Sequence, residues 1–82
     1  EAYVEMRLRL AEGLRQRRRR QNLTHTALAK AVRSSQSRVA KMETGDSSVS
    51  LDLLIRSLLA LGASRQELAK LIGGSRPSSG TR

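Results

Sequence analysis

The 82-residue chain has no cysteine, no phenylalanine and no tryptophan, and only one proline, one tyrosine and one histidine. Without cysteine there is no disulfide, no thiolate metal site and no thiol nucleophile, a usage that fits a cytoplasmic protein. One histidine and no cysteine leave no transition-metal ligand set, so neither a metal nor another cofactor is expected. The seven acidic residues are scattered without a catalytic pair, and there is no Gly-rich phosphate loop. An enzyme is therefore not expected. No apolar run approaches the roughly 20 residues that span a bilayer. The first residues form no hydrophobic signal segment, so no membrane partner is expected. Tyr3 is the only aromatic, so unpaired bases find no stacking platform, which counts against a single-strand or RNA binder.

What is present is positive charge. Sixteen Lys plus Arg against seven Asp plus Glu give a net +9. Such a balance favours polyanions, nucleic acid first. The densest run is Arg15 with Arg17-Arg18-Arg19-Arg20. Consecutive residues go around a helix, so only one or two of these can face a phosphate, and Arg17 is taken as one. The core has to come from Leu, Ile, Val, Ala and Met, in one small domain over 1–72.

Helical spacing of Val4, Leu8, Ala11 and Leu14 predicts a long first helix over 4–21. Asn22 is placed to stop it in a left-handed conformation. Thr24 caps a second helix, 25–31, and Ser35 caps a third, 36–43, which Gly45 ends. A loop follows over 45–50. Ser50 then caps a helix over 51–61 that Gly62 stops, and Ser64 with Glu67 forms a capping box for the last, 65–72. The Gly-, Ser- and Pro-rich residues 73–82 read as a disordered tail. No segment alternates long enough to be a strand, so the fold class is all-α with five helices.

Two short helices joined by a tight turn, over 24–43, carry the functional signal. Small polar and basic side chains open the second of them, Ser35-Gln36-Ser37-Arg38, a set that suits base edges in a DNA groove. The segment LTHTALAKAVRSSQSRVAKMETG, with Ser50-Leu51 and Leu61-Gly62 beyond it, resembles the Cro and phage-repressor (XRE-like, lambda-repressor-like) helix-turn-helix family over about residues 8–63. The resemblance implies that helix 36–43 enters the major groove. Gln36 and Ser37 lie where family members read bases, Lys41 shares the face of Ser37, and Arg38 stands beside them. Gln matches adenine and Lys matches guanine. Thr24, His25 and Thr44, together with Ser35, match the positions of phosphate contacts. His25 stands where many members carry Gln. Arg18 and Glu43 match an ion pair that ties the first helix to the third. Two positions depart from the pattern: Arg33 stands in the turn where members usually have Gly, and Ser34 replaces an apolar plug.

The resemblance implies a sequence-specific regulator of double-stranded DNA, of repressor type. It also fits a second class, a DNA-binding antitoxin that neutralises a toxin protein and regulates its own operon. Either would be a cytoplasmic, nucleoid-associated protein of bacterial or phage type. In 51–61, eight of eleven residues are apolar. That is more than one inward stripe requires, so a homodimer through helices 51–61 and 65–72 is expected.

Overall fold

The computed structural model describes residues 2–73. Its elements are α1 (Ala2–Arg20), α2 (His25–Ala31), α3 (Gln36–Thr44), α4 (Leu51–Ala60) and α5 (Arg65–Gly73), with no strand among the described residues. The tail expected over 73–82 lies outside the described residues except for Gly73, which closes α5.

Each of the helices α2 to α5 starts where a side chain satisfies a free backbone N–H. Thr24 Oγ1 accepts from Ala27 N–H, Ser35 Oγ from Arg38 N–H, and Ser50 Oγ from Leu53 N–H. Before α5 the capping box is complete: Ser64 Oγ accepts from Glu67 N–H, and Glu67 Oε1 accepts from Ser64 N–H at 2.8 Å. That backbone bond, and then Arg17, hold the Glu67 carboxyl below its usual range. The shift is downward, so its contribution to folding is present at neutral pH and is lost as pH falls through the lowered value.

Helix α1 begins two residues earlier than the expected 4–21 and ends at Arg20. Asn22 takes φ 57° and the Leu23 N–H returns to the Arg18 carbonyl at 3.0 Å, so the chain turns sharply into α2. Helix α3 ends at Gly45, φ 74°, where a side chain would be strained. A Cβ there would also stand 2.7 Å from Leu8 Cδ2, so α1 lies directly over this turn.

Helix α1 packs on α3, α4 and α5, and α2 packs on α3. Leu10, Leu14, Leu28, Val39, Met42, Val49, Leu54 and Leu58 form the buried centre. The apolar excess of α4 finds most of its partners inside the chain. Leu54 and Leu58 are buried, Leu51, Leu53 and Ile55 pack against the core, and α1 packs on this helix. The large apolar residues left exposed are Tyr3, Val4 and Leu8 on α1, Leu59 on α4 and Ile72 on α5.

The turn between α2 and α3 keeps a glycine-type geometry without a glycine. Arg33 takes φ 57°, and the Ser34 N–H bonds the Ala29 carbonyl at 2.8 Å. An L side chain in this region costs about 1–2 kcal/mol, part of which glycine gives back as unfolded-chain entropy. Arg33→Gly is therefore expected to stabilise the protein by about 0.5–1 kcal/mol, a rise of a few degrees in a thermal melt. A melt that falls would show that Arg33 makes a contact outweighing its strain.

Candidate nucleic-acid interface

Two short helices meet at the turn and carry nearly every residue singled out for DNA contact. Leu28 and Ala29 of α2 and Val39 and Met42 of α3 are buried between them, which sets the crossing. The remaining sides of both helices face outward: Thr24, Thr26, Ser35, Gln36, Ser37, Arg38, Lys41 and Thr44 are all exposed.

Ser35, Ser37, Arg38 and Lys41 line one cleft of about 330 Å³ with Ser48 and Val49 of the following loop. That loop is held to α1, where Arg7 Nη1 donates to the Val49 carbonyl. Asp46 caps it by accepting from Ser48 N–H at 2.8 Å. The Ser48 hydroxyl, then its backbone N–H, keep the Asp46 carboxyl below the usual range. Gln36 lies toward α2 instead, where its Nε2 donates to Thr26 Oγ1 at 2.5 Å. No periodicity could have singled out Thr26, because this contact exists only once the turn has closed.

Behind this surface sits the ion pair. Arg18 Nε donates to Glu43 Oε2 at 2.5 Å and Nη2 to Oε1 at 3.1 Å, while Nη1 donates to the Leu23 carbonyl at 2.8 Å. The Glu43 side chain is 5% exposed and that of Arg18 15%. This cluster ties α1 to α3 and to the entry of α2.

His25 belongs to the same cluster. Its Nε2 lies 3.1 Å from Glu43 Oε1. A neutral ring that gives its Nε2 proton to this carboxylate presents Nδ1 as a bare acceptor, which has nothing to offer a phosphate.

The other expected phosphate contacts divide. Thr24 and Ser35 use their oxygens as caps but keep their hydroxyl protons for donation. Thr44 donates its hydroxyl to the Lys41 carbonyl at 3.0 Å, so that proton is already engaged. Arg17 is not gathered with α2 and α3. Its guanidinium pairs with Glu67 of α5 and its side chain is 15% exposed. The next residue, Arg18, is turned about 100° around the helix and meets α3 instead.

Among the described residues no group of His, Cys, Asp and Glu could hold a metal ion, and no helix is long and apolar enough to cross a membrane. No curated protein and no solved structure matches the chain. A family model described as a helix-turn-helix domain matches residues 9–71. That stretch takes in both short helices, the Arg18–Glu43 tie and the packing of α4 and most of α5, and the chain belongs to this helix-turn-helix family of DNA-binding domains.

Proposed function

We propose that the protein is a sequence-specific regulator of double-stranded DNA, of repressor type, that lays α3 in the major groove. The observation that carries this reading is the surface of α3. Gln36, Ser37, Arg38 and Lys41 are exposed on a helix whose opposite side is locked into the core by Val39, Met42 and Glu43. A rigid helix with free donors and acceptors at its start can tell one base edge from another. Gln36 and Lys41 are assigned to bases, Ser37 and Arg38 to bases or the phosphates beside them, and Thr24 and Ser35 to phosphates. Arg17 is left out of the phosphate set, because Glu67 already holds it.

The test is selection of preferred sites from random duplex DNA, followed by footprinting. Gln36→Ala and Lys41→Ala should each lower discrimination between the selected and a random duplex by about tenfold, and leave the melting temperature nearly unchanged. Equal losses on both DNAs would refute base reading at those positions.

The same selection tests the dimer. A pair of protomers recovers two-fold symmetric sites with half-sites about 34 Å apart. Leu59 and Ile72 are the exposed apolar contacts left on the two helices first expected to meet, and Val4 and Leu8 of α1 add to them. An antitoxin would use the same apolar residues on a toxin enzyme, and would copurify with it.

A further inference from the structure

We propose that Thr26 is a specificity-determining residue that acts through Gln36 and commits that position to adenine. The proposal rests on the reading that α3 lies in the major groove. Gln36 is the first residue of α3 and Thr26 the second of α2, ten apart in sequence and joined across the turn by the 2.5 Å bond from Nε2 to Oγ1.

Glutamine alone is an ambiguous reader. Its amide can present one N–H and the carbonyl oxygen to adenine, which offers the N7 acceptor beside the N6 amino donor. It can also turn both N–H groups toward guanine, whose N7 and O6 are two acceptors. Thr26 removes the second choice. With one N–H held by Oγ1, the amide keeps one N–H and Oε1, a donor beside an acceptor, and only adenine matches that pair. A guanine would set O6 against Oε1, acceptor against acceptor.

The surroundings leave this bond undisturbed. Thr24 Oγ1 and Ser35 Oγ are caps, and His25 is turned to Glu43, so Thr26 is the one partner of the Gln36 amide among the described residues. Thr26 is β-branched, so its χ1 is stiff and its acceptor stays in place.

The experiment compares wild type, Thr26→Val, Thr26→Ser, Gln36→Ala and the Thr26→Val/Gln36→Ala double variant. Each is titrated against the selected duplex and against duplexes with each base pair changed singly. Thr26 is exposed, so all variants should keep the wild-type melt. At the position that Gln36→Ala relaxes, wild type should prefer adenine over guanine, and Thr26→Val should lower that preference by about fivefold to tenfold. Other positions should be unchanged, Thr26→Ser should restore the preference, and Thr26→Val should add nothing in the Gln36→Ala background. If Gln36→Ala relaxes a position and Thr26→Val leaves it intact, base reading stands and the role of Thr26 is overturned. A uniform loss across all duplexes in Thr26→Val also overturns it, leaving only a phosphate contact. If Gln36→Ala relaxes no position, base reading itself fails and the role of Thr26 fails with it.

Discussion

Arg18→Ala is expected to cost about 3–5 kcal/mol of folding stability, a large share of what a domain of this size holds. The reason is what remains behind. Glu43 is 5% exposed and takes two hydrogen bonds from Arg18, at 2.5 and 3.1 Å. Removing the guanidinium leaves an enclosed carboxylate with His25 as its one remaining donor among the described residues. It also leaves the Leu23 carbonyl without the 2.8 Å bond that steadies the entry to α2. Arg20→Ala is the control. Arg20 is exposed and has no ion-pair partner among the described residues, so its loss should stay within about 0.5 kcal/mol. The double variant Arg18→Ala/Glu43→Ala should be less destabilised than the sum of the two single variants, since neither charge is then stranded. Urea and thermal unfolding give both comparisons. Arg18→Ala and Arg20→Ala with equal midpoints would mean that the cluster does not hold α1 on α3.

Some of this cluster was legible in the sequence. The Arg18–Glu43 pair followed from resemblance alone, since a separation of 25 residues has no local signature. The helix caps at Thr24, Ser35, Ser50 and Ser64 were legible from first principles, because capping is chemistry within three residues. The left-handed turn at Arg33 was legible as a departure, and the structure keeps the turn and puts arginine in it. His25, Arg17 and Thr26 were not legible in the same way. Their partners, Glu43, Glu67 and Gln36, lie 18, 50 and 10 residues away and meet them only through packing.

The α4 helix shows a different limit. Counting apolar residues says how much surface must be covered, but not by what. Most of it is covered inside the chain, with α1 packed on α4, and at the Gly45 turn α1 comes so close that Leu8 sits where a Cβ would be. The expected dimer surface therefore shrinks to Leu59 and Ile72 on α4 and α5. The overhanging start of α1, with Tyr3 and Val4, becomes a second exposed apolar segment.

The map of paired and unpaired charges sets the other large effect, the response of DNA affinity to salt. Arg17 and Arg18 are held by Glu67 and Glu43, and Arg9, Arg15 and Arg56 by their helix neighbours. The cations left without an ion-pair partner among the described residues include Lys30, Arg33 and Arg38 on and between α2 and α3, besides the base-reading Lys41. With about three phosphates neutralised per protomer and a slope near −0.9 for each, affinity should fall about fortyfold per protomer between about 50 and about 200 mM salt. The fall should be nearly the same on selected and random duplexes, because base contacts release few counterions. Gln36→Ala should then lower the ratio of the two affinities and leave the slope alone. Arg17→Ala should change neither. A slope reduced by about one unit in Arg17→Ala would return that residue to the phosphate contacts, and would mean that the Glu67 pair opens when DNA binds.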